Sequence, residues 1–531
     1  MIWFRDSINS GAIPTSSDAR LTADIDLTDN GQPRHWQPIG GIFDNVERYY
    51  SGTFDGNRYS VKGYTVPPDN MVYYENSDTK AEANGFFGVI SANATVKSLT
   101  LRSDVKIENY RNIDATLTCI GGVAGLNVNG TIIGCTYSGT ISFSGDYYSS
   151  VGGIVGRNDG GKIRDCAYSD GDIFSKAKEY ANPYTAYAGG IAGENNGEII
   201  SCVNCSNDDV STNSSMGGNY AGGIVGYNKS RIINCIYSGA GNIHGKYSGG
   251  GARAGGIAGG NSSNGEITNC VNSGTAEIYV EGGYSNAGGI VGINNGKLTS
   301  CVYSGNGKVL TRNDNNGRSS AGGIAGNHYG NDGTITNCGW NKDAASVGIG
   351  NGDVDNVTGV GSCDAEEFAK IVTIVILDDT EVAAGASTEV KFTTFPGKPD
   401  NLADYITVTS ADTDDQSVAT TSFGNGNITV KGLKEGITEL LASVEINAYD
   451  FENGKISDSV STSADLSSMV TVSSAPPTPE TPTDPDTPTD PETPPTPDTH
   501  KPRSGGSSGC DTGTAAIALL ALLPLFYKKK R

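Results

Sequence analysis

The feature that most constrains this chain is a five-residue motif, Gly-Gly-(Ile/Val)-(Val/Ala)-Gly, that occurs seven times. It begins at Gly121, Gly152, Gly189, Gly222, Gly255, Gly288 and Gly322, so successive starts lie 31, 37, 33, 33, 33 and 34 residues apart. A near-constant period over seven copies is the mark of a repeat architecture, in which each unit buries its apolar face only against its neighbours. It outranks any local reading of secondary structure.

Each copy continues alike, with an Asn, a short turn, an aliphatic residue and, three positions later, a cysteine. The pairs are Ile132 and Cys135, Ile163 and Cys166, Ile199 and Cys202, Ile232 and Cys235, Ile267 and Cys270, Leu298 and Cys301, and Ile335 and Cys338. Three short β-prone segments per copy, parted by Gly, Asn and Ser and lacking a helical apolar stripe, predict one coil of a parallel β-helix. The expected fold is all-β: a β-solenoid of about seven to eight coils. Residues three apart on an unbroken strand face opposite sides, so burying both the aliphatic residue and the cysteine requires a bulge or bend between them.

Glycine is abundant (74 residues) without a three-residue period, which points away from collagen and toward turns repeated many times. The formal net charge of -22 and the lack of a basic stripe before the last four residues argue against a nucleic-acid partner. The seven repeat cysteines would form a column. A metal or redox ladder is the functional reading of it, but no Cys-x-x-Cys occurs among them, and small thiols filling a narrow interior is the simpler one. Cys119, Cys205 and Cys363 lie outside the column and leave a disulfide open. Tyr137, Tyr168, Tyr237 and Tyr303 follow repeat cysteines, either stacking on sugars from an exposed face or forming an inward aromatic ladder. Asp159, Asp165, Asp172, Glu194 and Glu198 are scattered at turn positions without a visible pair. Turns at 313–316 and at Asn331 and Asp332 could take calcium, although solvated turns account for them without a metal. No cofactor is expected.

Upstream stand 36–40 (Trp-Gln-Pro-Ile-Gly), 50–57, 61–63, 85–88 (Gly-Phe-Phe-Gly) and 96–101. With the glycine repeats, this run resembles the GLUG-motif proteins of bacterial surfaces, including repeat regions attached to some immunoglobulin A peptidases, over roughly residues 20–345. The resemblance implies a lead-in and cap over 1–84 and solenoid repeats over 85–365, the first coil carrying Leu99 where later coils carry Cys. The peptidases' zinc motif needs two histidines four apart. His35, His244, His328 and His500 are far from one another, so only the non-catalytic part of the resemblance applies.

After Cys363 the glycine punctuation stops. Residues 370–474 alternate as several short strands and resemble bacterial Ig-like domains of group 2, which implies a β-sandwich used as spacer or binding unit; an insertion near 447–458 departs from that pattern. Residues 475–509 form an acidic Pro/Thr tract running into Gly and Ser, an extended, disordered stalk. The last segment, 510–531, joins Cys510, an apolar run over 515–527 and a basic end. Thirteen residues span about 20 Å as a short helix, less than the ~30 Å hydrocarbon core, which disfavours a permanent anchor. The tail resembles the Synergist-CTERM sorting domain. That resemblance implies a rhomboid-like processing protease as partner, cleavage near Gly506, Gly509, Cys510 and Gly513, a modified or lipidated Cys510, and Lys528, Lys529, Lys530 and Arg531 held at the membrane.

The tail implies export, yet no secretory signal opens the chain, so a truncated start is expected. The functional expectation is a non-catalytic protein of the cell envelope or surface, adhesive or structural, with glycans or host or cell-surface proteins as partners. The alternative is a β-helix polysaccharide lyase or hydrolase.

Overall fold

A computed structural model describes residues 1–474, apart from 77–78, 111–116, 146–147, 178–184, 215–216, 248–250, 313–317 and positions 331, 400 and 425. The parallel β-solenoid expected from the repeat is present, with about nine turns. A representative coil consists of the strands Asn219–Gly222, Val225–Asn228, Arg231–Ile233, Ile236–Tyr237 and Ile243–Tyr247. The three segments anticipated per copy are therefore five, because glycines and a left-handed corner break them. Coils stack in parallel register: Ala188 pairs with Ala221, then Ala254, Ala287 and Ala321. Each position thus meets its own equivalents about 4.8 Å above and below.

The bend demanded between the aliphatic residue and the cysteine is a single left-handed residue. Gly134, Asp165, Ser201, Asn234, Asn269, Ser300 and Asn337, each just before the repeat cysteine, have φ between 51° and 60°. Ser98 does the same before Leu99, with φ of 51°. This conformation turns the chain and resets the alternation, so that Ile232 and Cys235 both lie fully buried. Glycine, Asn and Asp tolerate it best among L-residues, which explains much of the choice at this corner.

The second glycine of each motif has a different cause. A Cβ on Gly122, Gly153, Gly223 or Gly289 would meet the ring of Tyr137, Tyr168, Tyr237 or Tyr303 at 2.2 to 2.8 Å, and on Gly190 or Gly256 it would meet the amide of Asn204 or Asn272 at 2.2 and 2.0 Å. The Gly-Gly corner leaves room for an inward side chain from elsewhere in the coil.

A buried amide ladder runs along the stack. The Nδ2 of Asn127, Asn158, Asn195, Asn228 and Asn261 each donates to the Oδ1 of the next coil's Asn at 2.8 to 2.9 Å, ending on Asn294. Asn294 Nδ2 lies 3.2 Å from His328 Nδ1. Each Nδ2 also donates to a carbonyl of its own turn, such as Gly161 O from Asn158 at 2.9 Å.

The N-terminal end is closed by helix α1 (Ile2–Ser10), which packs Phe4 against Tyr50 and Phe54 with ring centroids 6.1 and 6.0 Å apart. Short strands from Ala19 onward already pair with the coils, Ala19 with Phe54 and Thr53 with Thr95. Beyond the solenoid, α2 (Ala365–Phe368) begins with a capping box on Asp364. It leads to sheets of two, four and three strands around a separate core that includes Val382, Ile428, Leu440 and Val470. This module lies against the solenoid flank. Its Phe368, Ile371, Ile374, Phe395 and Phe451 cluster with Val203, Ile236, Val271 and Val302, the outward residues just after four of the repeat cysteines. Phe451 occupies the space over Gly339, where a Cβ would sit 2.1 Å from its ring. Within 447–458 it is Phe451, with Tyr449 packed beside it, that joins this contact.

Gly223→Ala should lower the unfolding free energy by about 2–3 kcal/mol, since its methyl would lie 2.1 Å from Gly256 O. Asn234→Val should cost about 1–2 kcal/mol and Asn234→Gly almost nothing. Urea midpoints at constant slope check both; equal midpoints for the Val and Gly variants would contradict the left-handed corner.

Candidate functional site

The strand before each Gly-Gly pair and the strand after it meet at a concave corner on the outside of the solenoid. Two columns of outward side chains face each other there. One runs Cys119, Ser150, Tyr187, Tyr220, Arg253, Asn286 and Ser320. The other runs Leu126, Arg157, Glu194, Tyr227, Gly260, Ile293 and Asn327.

In the middle coils the corner holds an aromatic and charged cluster. Tyr187 stacks on Tyr227 at 5.5 Å between centroids, Tyr220 lies 4.9 Å from Tyr227, and Tyr148 meets Tyr187 edge-on at 5.0 Å. The Arg253 guanidinium sits 4.9 Å over the Tyr220 ring. Glu194, fully buried, accepts from Tyr148 Oη at 3.0 Å and pairs with Lys229 at 2.5 Å and Arg157 at 3.9 Å. A buried carboxylate is tolerated only when compensated in this way. Burial and the Glu194 charge hold the Tyr148 and Tyr187 hydroxyls protonated well above the ordinary tyrosine range. The cluster therefore offers ring faces and hydrogen-bonding groups, with Glu194 committed to its cations.

The sequence candidates fall elsewhere. Tyr137, Tyr168, Tyr237 and Tyr303 are buried inside, their hydroxyls donating to carbonyls such as Ser103 O, 2.6 Å from Tyr137, and Gly139 O, 3.1 Å from Tyr168. The inward ladder is the correct alternative, interrupted by Asn204 and Asn272 at equivalent positions. Asp159 pairs with Arg157 at 3.5 Å, Glu198 lies between Lys162 and Arg231 at 3.4 and 2.7 Å, and Asp172 accepts from the Asp209 backbone at 3.0 Å. Asp165 is a corner residue. The candidate sorting residues Gly506, Gly509, Cys510, Gly513, Lys528, Lys529, Lys530 and Arg531, the 313–316 turn and Asn331 lie outside the described residues. What the sequence reading missed is Tyr148, Tyr187, Tyr220, Tyr227, Arg157 and Arg253. The signal of all but Tyr148 is positional, two residues before the glycine pair or one after the third glycine; Tyr148 stands four before its pair.

The thiol column is structural. Each repeat cysteine lies 3.1 to 3.5 Å from the carbonyl two residues earlier, and the ten described cysteines are buried and form no disulfide with one another. Cys119 lies in the concave corner, and Cys205 and Cys363 lie under the docked module. Among the described residues no group of three His, Cys, Asp or Glu could hold a metal ion. No helix among them is long and apolar enough to cross a membrane.

Uniform parallel coils, each rebuilt from the same glycine corners, define a β-solenoid repeat protein, and this architecture fits a surface protein. More particularly, residues 147–173 match the family described as the GLUG motif. No curated protein matches the chain. A solved chain described as "IgA1 Protease" is similar at 15% identity and a TM-score of 0.32, covering 63% of this chain and 20% of its own length. The present chain thus spans about a fifth of that protein.

Two outcomes test this chemistry. All seven repeat thiols are fully buried, out of reach of a reagent in solution, although their mutual hydrogen bonds split them: burial holds Cys135, Cys202, Cys270 and Cys338 above the ordinary thiol range, while bonds from neighbouring thiols hold Cys166, Cys235 and Cys301 below it. Iodoacetamide at pH 8 should therefore leave the column unlabelled in folded protein and label it fully in guanidinium, read by peptide mass spectrometry. Burial pushes the Asp165 carboxyl up to about 6, the neighbouring Arg164 only partly opposing it. The folded state then binds its proton more tightly than the unfolded chain, so stability falls as pH rises from about 4 to 6. Asp165→Asn should remove that slope and add up to about 1 kcal/mol at pH 7, an upper figure because the side chain keeps 29% of its exposure. A thermal-melt series across pH 4–8 checks it.

Proposed function

We propose that this is a non-catalytic protein of the cell envelope or surface, adhesive or structural, whose solenoid and docked bacterial Ig-like module are presented on the Pro/Thr stalk. The observation that carries the reading is the GLUG-motif match within a stack of near-identical coils. Such a stack repeats one surface many times, suited to multivalent contact with glycans or to host or cell-surface proteins. The tail, with Gly506, Gly509, Cys510 and Gly513 before the apolar run and Lys528, Lys529, Lys530 and Arg531 after it, is the sorting signal in this reading. A rhomboid-like protease is its partner and the membrane its transient support.

A lyase or hydrolase on the same fold is the competing reading. It calls for carboxylates free to exchange protons in the concave corner. There Glu194 is neutralised by Arg157 and Lys229, and Asp159 is paired with Arg157. Asp170, at the exposed end of the strand Ala167–Asp170, and Asp208, which accepts from Gly171 N at 2.9 Å, stand on a different face of the coil.

The test is to produce the chain in a bacterial host behind a secretory signal and sequence its C-terminus from cell fractions by mass spectrometry. The expected product is envelope- or surface-associated and ends within 506–513. Mature envelope protein that retains Lys528 to Arg531 would overturn the processing claim, and cytoplasmic residence of all the material would overturn the surface reading.

A further inference from the structure

The module beside the solenoid is gripped at one end, and its last strand finishes at the other. Three of its strands, β1 (Thr380–Ala383), β2 (Gly436–Asp450) and β3 (Lys455–Ser473), share a sheet in which β3 lies between the other two. The turn between β2 and β3 is the gripped end. Phe451 sits there over Gly339, and its N–H donates to Asn337 Oδ1 at 3.4 Å. Val372 and Thr373, where the chain enters the module, line the same small crevice as Tyr449 and Phe451. From there the chain runs to the far end, where Met469 N donates to Asp379 Oδ1 at 2.8 Å. Entry and exit thus stand about 60 Å apart, the length of the 19 residues of β3 as an extended strand.

Two pairings hold β3. It is antiparallel to β2, from Gly436 opposite Val472 to Asp450 opposite Lys455. It is parallel to β1, from Thr380 opposite Val470 to Ala383 opposite Ser473, and just beyond them Ala384 N donates to Ser473 O at 2.9 Å. The parallel direction decides how a pull acts. Tension through the residues after 474 draws β3 away by its C-terminal end, while the solenoid holds β1 back through its N-terminal end. Parallel strands drawn in opposite senses along their own length must slide, and sliding strains their evenly spaced hydrogen bonds together. A strand lifted sideways from one end breaks the same bonds one at a time. The entry strand Val372–Leu377, antiparallel to Phe392–Pro396, is drawn lengthwise as well.

We propose that this module is a tension-bearing clamp between the solenoid and the chain that follows it, loaded lengthwise through β3 against β1 and β2. The docked turn completes it, because β2 and β3 are joined at the gripped end and offer no strand end there from which peeling could start. This inference rests on the surface reading for the source of the tension: a partner held by the solenoid and an envelope holding the C-terminus pull along this line.

The test is single-molecule force spectroscopy on the full chain, pulled from its C-terminus against a handle on an azide-bearing residue placed at Lys370 or at Lys434, both exposed. Position 370 precedes the entry strand and reproduces the pull of the solenoid. Position 434 lies at the exit end, just before Gly436, and lifts β3 sideways from β2. The lengthwise geometry should give a rupture that releases roughly 350 Å of chain from about 100 residues. Its force should be at least about twice that of the sideways geometry at equal loading rate, since forced unfolding follows the barrier along the pull. Asp379→Ala/Ala384→Pro, which removes the bonds to Met469 and Ser473, should lower the lengthwise force with unchanged far-ultraviolet circular dichroism. The proposal is overturned if the two wild-type geometries break at equal force, if the sideways one is stronger, or if the folded variant keeps the wild-type lengthwise force. Should the variant not fold, the two wild-type geometries decide. Equal forces would sink this inference and leave the surface reading standing; cytoplasmic residence of the chain would remove the source of tension and leave the measured difference in place.

Discussion

In-register parallel stacking is the constraint on which everything else in this molecule depends. Once coils pair position for position, every interior site must pack against copies of itself, and a side chain acceptable once must be acceptable about nine times. The isoleucines, thiols and asparagines satisfy this because each fits its own image at the coil rise. The tyrosines fit because glycine backbone retreats from them at the opposite corner. The glycines are therefore less a source of flexibility than a record of where another side chain needs space.

Much of this was legible in the sequence. The period, the inward aliphatic column and the space-filling role of the thiols follow from spacing alone, and so did the need for a bend between Ile and Cys. The location of that bend was also present, as the Gly, Asp, Ser or Asn before each cysteine, but it becomes meaningful only when φ is known. The direction of the tyrosines was not legible. Alternation fixes facing only within one strand, and with two corners breaking each coil the parity restarts, so Tyr137 points in while Tyr187 points out. The aromatic corner is formed by residues from different coils, and their meeting depends on the Gly-Gly angle.

The docked module shows a second kind of information that spacing does not carry. Val203, Ile236, Val271 and Val302 read as ordinary β-formers, yet they are apolar on an outward face because another module covers them. The contact of Phe451 with Gly339 joins positions far apart in sequence. Solenoid and module share a buried flank in which the corner residues Asn269, Ser300 and Asn337 line a small crevice beneath Thr373 and Phe451.

The amide ladder gives the solenoid a direction. Every Nδ2 points toward the next coil, and the second hydrogen bond of each, to a carbonyl of its own turn, prevents the amide from reversing. The side-chain dipoles therefore add head to tail along the axis, each bond polarising the next. The negative pole is the unmatched Asn127 Oδ1, where Ile90 precedes it in register. The positive pole is met by the His328 ring, whose Nδ1 lies 3.2 Å from Asn294 Nδ2 and 3.3 Å from Asn294 O, accepting from the amide or donating to the carbonyl according to its tautomer. Burial suits the neutral ring by lowering its tendency to take up a proton. Protonation at this one imidazole would put two donors face to face at the end of a column that reaches back through six coils.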